Sequence, residues 1–185
     1  MMHYYPQGLK PPPFLNCGTK SVQEIHDAIL EGTGLRVGLL GDLLFKVTTV
    51  TALREYCRWW RKEHSWLKYE AHFLDCDDLA AAFHGDISKW DGWSATPNGI
   101  VWSAYLGGHA YNLHVALEAM LRPILRVYLI EPQTGEVAEV AAEHFEQFAP
   151  WLLMVNGKVG AADPEDVNWQ DIAYGPMTAG TNITQ

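Results

Sequence analysis

Three residue types that together perform acyl transfer occur along the chain in the order thiol, imidazole, carboxylate: Cys76, His109 and Glu131. Cys76 directly follows Asp75, a residue suited to capping a helix, so the sequence predicts a helix that begins at the thiol. Unpaired amides and the positive end of a helix dipole at such a position favour a thiolate. His109 follows Gly107 and Gly108 and opens an alternating run, His109, Tyr111 and Leu113, that shares one face of a strand. Glu131 ends the returning apolar run and can accept the proton on the imidazole nitrogen turned away from the thiol. The expected chemistry is attack by Cys76 on a carbonyl, with His109 as general base and Glu131 fixing its tautomer. Singly, each residue has a plainer reading as a small buried hydrophobe, a core histidine and a turn acid; the combination favours chemistry. Cys17 precedes a glycine in a loop, and Cys57 falls mid-helix on an apolar stripe, where a core role is expected.

The acids around the thiol complicate this picture. Asp75, Asp77 and Asp78 oppose a thiolate unless something offsets their charge. They read either as first-turn acids stabilising a helix dipole or as part of a hard-cation site, in which Asp77, Asp78, Glu131 and the amide oxygen of Gln133 gather around calcium. No EF-hand spacing is present to identify the ion. An oxyanion would be held by the Cys76 N–H and a donor from the preceding segment, with His72 and Trp66 as candidates.

The elements that must position these groups can be read from periodicity. Residues 1–20 hold Pro11, Pro12 and Pro13 and form an extended arm, expected to lie on the body through Tyr4, Tyr5 and Phe14. Ser21 with Glu24 makes a capping box for a helix carrying Ile25 and Ile29, ended by Gly32 and Gly34. A short strand is expected over Leu43 to Val47. A second helix runs from Thr51 to Trp60, and a third from Cys76 to Ile87. Strands follow at Ile100 to Leu106, His109 to Leu117, Leu125 to Glu131 and Leu152 to Val155, while Val137 to Phe148 is either a strand then a helix or one helix. The pattern predicts a single α+β domain over residues 21–155 with helices packed to one side of an antiparallel sheet, and a surface-wrapping or mobile tail over 156–185.

Composition narrows the function further. Thirteen basic against 22 acidic residues give a net charge of −9, which offers nucleic acid or anionic lipid no general attraction. Arg54, Arg58, Arg61, Lys62 and Lys68 are interrupted by glutamates and read as a solvated helix face. Three widely spaced cysteines suggest a reducing compartment, and neither a signal peptide nor a membrane span is evident, so a cytoplasmic location is expected.

The strings Phe73-Leu74-Asp75-Cys76-Asp77-Asp78, Gly107-Gly108-His109-Ala110-Tyr111-Asn112 and Ile130-Glu131-Pro132-Gln133 occur in that order. Together they resemble the papain-like cysteine peptidase domain of the Marasmius oreades agglutinin family, with bacterial and phage-encoded relatives, over residues 45–155. The resemblance implies a papain-like fold, a Cys76–His109–Glu131 triad, dependence on calcium or manganese held by Asp77, Asp78 and Gln133, and a peptide or protein substrate. If the chain is phage-encoded, it also allows a virion association. The β-trefoil sugar-binding domain of the fungal protein has no room in the arm, so glycan binding is not carried over. A competing expectation is a non-catalytic structural or binding protein that retains the fold, such as a virion component forming an oligomer or holding a partner through arm and tail. Eight tryptophans, among them Trp59, Trp60, Trp66, Trp90, Trp93 and Trp102, motivate it, because aromatic residues gather at interfaces.

Overall fold

A computed structural model describes residues 10–34, 42–70, 73–103, 109–140, 151–155 and 158–161. Two strands, β1 (Thr19–Ser21) and β2 (Leu44–Lys46), pair antiparallel around helix α1 (Val22–Thr33). The Ser21 hydroxyl accepts the Glu24 N–H at 3.3 Å, and the Ser21 N–H donates to the Glu24 carboxylate at 2.8 Å, the reciprocal cap expected from their spacing. Gly34 closes the helix in the left-handed region at φ 73°, donating its N–H to the Leu30 carbonyl. Helix α2 (Val50–Glu63) starts at Thr49, whose hydroxyl accepts the Ala52 N–H, and buries Leu53, Tyr56, Cys57 and Trp60. Helix α3 spans Cys76–Ile87, the bounds expected from sequence.

The larger sheet contains β3 (Asn98–Ser103), β4 (His109–Ala119), β5 (Arg122–Glu131), β6 (Glu136–Glu139), β7 (Trp151–Val155) and β8 (Lys158–Ala161). Its order is β6-β5-β4-β3-β7-β8, antiparallel throughout. Strand β8 carries the sheet past residue 155, into a stretch expected to be part of the tail. Tyr4, Tyr5 and the segment after residue 161 lie outside the described residues.

The helices do not all pack to one side, as the sequence had suggested. Ile25 and Ile29 of α1 meet Leu113, Val115 and Leu117 of β4 and Val127 of β5, whereas α2 and α3 meet Ala116, Tyr128 and Ile130. Odd and even positions of a strand face opposite ways, so the sheet is covered on both faces. The reason is legible in β4, where every residue from Asn112 to Leu117 is buried. Gly32 brings α1 close to β5: a Cβ there would stand 2.9 Å from a Val127 methyl.

Two polar links hold the helices in register. The buried Asp86 carboxylate of α3 accepts the Trp60 indole N–H at 3.0 Å, pairs with His64 at 2.9 Å and pairs with Lys89 at 2.6 Å, tying α3 to the end of α2. The Asn112 amide of β4 donates to the Ala80 carbonyl of α3 at 3.0 Å and to the Gly99 carbonyl of β3 at 3.3 Å. The arm lies on this core. Phe14 meets Trp93 edge-on at 5.2 Å, and the Trp93 indole donates to the Pro12 carbonyl at 3.2 Å. Trp60 and Trp93 are fully buried and Trp59 and Trp90 partly so, which makes the core the main use of these four; Trp66 is exposed.

Candidate active site

Asp75 stands in extended conformation at the N-cap of α3, and the Asp78 carboxylate reaches back to accept its N–H at 3.3 Å. Cys76 is therefore the first residue of the helix, half-buried, with its backbone amide among those that lack a partner within the helix. His109 opens β4 and Glu131 closes β5, and these strands pair through Asn112↔Ile130, one step from Glu131. Antiparallel pairing thus brings together an imidazole and a carboxylate 22 residues apart in sequence.

The His109 Nε2–H donates to Glu131 Oε2 at 2.6 Å, a short, charge-assisted bond. The remaining nitrogen, Nδ1, is left for the thiol. The Cys76 sulfur beside the ring and the Glu131 carboxylate favour the imidazolium and push its pKa up to about 9, against the opposing effect of burial. Glu131 Oε1 accepts the Gln133 N–H at 3.0 Å, while the Glu131 carbonyl accepts the N–H groups of Thr134 at 3.2 Å and Gly135 at 2.7 Å. The acid is fixed at both its backbone and its side chain by the turn that follows it. Tyr111 packs edge-on against His109 at 4.3 Å, and its hydroxyl pKa is raised chiefly by burial and then by its proximity to Glu131 and Cys76.

The structure thus brings Cys76, His109 and Glu131 to one place and sets the other thiols apart. Cys57 is buried, and burial holds its thiol well above the ordinary range; Cys17 is half-buried near the Leu15 carbonyl. Two contributors lacked a strong sequence signal: Tyr111, through its ring contact with His109, and Asn112, through its link between β4 and α3. An asparagine inside an otherwise apolar strand was the available clue to the second. Of the oxyanion candidates, Trp66 is 52% exposed and lies beside His64, and His72 is outside the described residues.

The acids expected to hold a metal lie at the start of α3 and at the end of β5. Among the described residues, the acidic and thiol groups that converge are Asp75, Cys76 and Asp77, with ligand atoms within 4.8 Å of one another. The oxygens of Asp77, Asp78 and Glu131 do not form one such group. Asp78 Oδ2 serves the helix cap, and both Glu131 oxygens have partners. Asp77 has its pKa raised to about 6, chiefly by a hydrogen bond with the Asp75 carboxylate, then by burial. Carboxylates this close are a donor set of the kind a hard divalent cation takes, so Asp75 and Asp77 are the residues that could hold one.

No protein-family model matches the chain, and no curated protein matches it. Among solved structures, it is similar to the Polyporus squamosus lectin, determined with the human-type influenza-binding epitope Neu5Acα2-6Galβ1-4GlcNAc, at a TM-score of 0.53 and 23% sequence identity. The chain shares its fold with part of a fungal lectin. The match covers 70% of this chain but 47% of the lectin, so this chain spans less than half of that protein's length.

Proposed function

We propose that this chain is a papain-like thiol hydrolase that cleaves peptide bonds through Cys76, His109 and Glu131. The observation that carries the proposal is the imidazole of His109, bonded through Nε2 to Glu131 at 2.6 Å and electrostatically coupled to the Cys76 sulfur at the start of α3. In the mechanism, the Cys76 thiol passes its proton to His109 Nδ1 and Sγ forms a bond to the substrate carbonyl carbon as the carbonyl electrons move to oxygen, where the Cys76 N–H stabilises them. His109 gives its Nδ1 proton to the leaving amine as the C–N bond breaks. It then takes a proton from the water that hydrolyses the thioester, which frees the sulfur. Glu131 holds the ring in the productive orientation throughout. A divalent cation at Asp75 and Asp77 would supply positive charge beside the helix start, and these two carboxylates would bind and orient it.

A second reading is favoured by the structural comparison: a non-catalytic binding protein. The similar structure is a lectin with a bound sialylated trisaccharide, and this likeness supports a binding role better than a peptidase. It carries the fold alone, because less than half of the lectin is matched. Thiol labelling separates the readings. Purified protein treated with iodoacetamide at pH 6, with calcium or with chelator, is mapped by peptide mass spectrometry. Selective modification of Cys76 over Cys17 and Cys57 supports the hydrolase, and substrate screening of wild type against Cys76→Ala follows. A Cys76 no more reactive than an ordinary thiol in either condition rejects it and moves the search to glycan arrays.

A further inference from the structure

A cavity of about 440 Å³ lies between α2 and the turn that joins β5 to β6, outside the triad and the acidic cluster. Its walls are Arg54 and Arg58 from the helix and residues 134–138 from the turn and β6. The two arginines are four residues apart, so their side chains rise from the same helix face, where like charges repel. Other arginines in the described residues are engaged. Arg61 donates to the carbonyls of His64 and Leu67, Arg122 pairs with Glu118 at 3.6 Å, and Arg126 pairs with Glu139 at 3.5 Å. No carboxylate among the described residues forms an ion pair with Arg54 or Arg58, although the chain has nine more acidic than basic residues.

The opposite wall is preformed. Gly135 sits at φ +77° with its N–H on the Glu131 carbonyl, and α2 is packed so close that a Cβ there would stand 3.1 Å from Arg61 Cβ. The Thr134 hydroxyl oxygen accepts the Glu136 N–H at 3.2 Å, which leaves the hydroxyl proton able to donate into the cavity. Glu136 also lines the cavity and opposes an anion there, without cancelling two guanidiniums.

We propose that this cavity is a binding site for an oxyanion, a phosphate or a carboxylate group, forked by Arg54 and Arg58 and closed by the Thr134 hydroxyl. Guanidinium forks match the paired oxygens of both groups, and relief of the Arg54–Arg58 repulsion adds to the attraction. The proposal does not rest on the hydrolase reading, because it concerns residues outside the triad.

The test is titration of the full chain at low ionic strength, followed by NMR of the arginine Nε–H resonances. Inorganic phosphate is one probe and N-acetylglutamate amide the other. Saturable shifts confined to Arg54 and Arg58 are expected, and the tighter probe identifies the source of the oxyanion. The double variant Arg54→Gln/Arg58→Gln, both positions being exposed, should keep its circular dichroism and lose at least about tenfold in affinity. Glu136→Gln should bind several-fold more tightly, and Arg122→Gln should bind as the wild type does. Shifts that never saturate, or an unchanged affinity in the double variant, would overturn the site and leave only a general ionic effect.

Discussion

The bonds of His109 to Cys76 and to Glu131 set a pH dependence whose sign is fixed by the direction in which they shift the ring. The pKa of His109 is raised to about 9, so the stability it contributes is fully present below about 6.5 and is lost as pH rises through 9. Allowing for solvent screening of a ring one-third exposed, the denaturation free energy of the wild type should fall by about 1–2 kcal/mol across that window. Glu131→Gln should flatten the decline, and the alkaline limb of Cys76 alkylation should move to lower pH with it. A decline of equal size in the variant would place the titration elsewhere. Asp77 behaves as an acid whose folded pKa is raised, so the shared-proton contact with Asp75 stabilises below about 4 and is lost as pH rises through about 6. Asp77→Asn should therefore raise the melting temperature at pH 7.5 in chelator while weakening calcium binding by calorimetry. The single substitution is the cleaner test, because Asp78 also serves the helix cap.

At the scale of elements, the site depends on how α3 is held against the sheet. Asn112 is three residues from His109 and bonds a carbonyl four residues from Cys76, so it sets the spacing between the helix that carries the thiol and the strand that carries the imidazole. Asn112→Ala removes two buried hydrogen bonds that join α3, β3 and β4 and should cost about 1–3 kcal/mol in urea denaturation. It should also slow Cys76 alkylation, whereas a purely local packing defect would leave that rate unchanged. Asp86→Ala removes the acceptor shared by Trp60, His64 and Lys89 and should cost about 3–5 kcal/mol. The Asp86 carboxyl is held well below its ordinary range by these partners, so their stabilisation is lost only as pH falls below about 4. Much of this scale was legible in the sequence. Ser21, Glu24 and Gly34 marked α1, and the apolar spacing of Leu53, Tyr56 and Trp60 marked α2, because caps and helical periodicity are local signals. The chain order of Cys76, His109 and Glu131 was legible for the same reason, as a thiol after a cap and two strand ends. The short strands β1 and β8 were not, and β6 was read as only one of two alternatives, since three or four residues carry too little periodicity and exist only through their partners. Nor was the second covered face of the sheet, which turns on whether α1 and α2 reach opposite sides. The cap that Asp78 makes to Asp75 depends on a side-chain direction that spacing alone does not determine.

For the whole molecule, the described part of the N-terminal arm is packed against the core through Phe14. Gly92 adopts φ +81°, and a Cβ there would stand 2.6 Å from the Phe14 ring, so the turn before the short 3-10 segment Trp93–Ala95 is shaped around the arm. Phe14→Ala should lower stability by about 3 kcal/mol in chemical denaturation, and Gly92→Ala should be destabilising through both strain and clash. An arm that merely trails over the surface would make the first change neutral. The division of Cys76 from His109 and Glu131 between layers has a different consequence. The thiol rides on α3, while the imidazole and the carboxylate share one hairpin. Momentary separation of helix from sheet would leave the His109–Glu131 pair intact and strip the sulfur of its neighbour, so the rate at which Cys76 is alkylated becomes a clock for native-state breathing. Graded denaturant well below the unfolding midpoint should then change that rate before any spectroscopic signal of unfolding moves, a measure of local opening read from one sulfur atom.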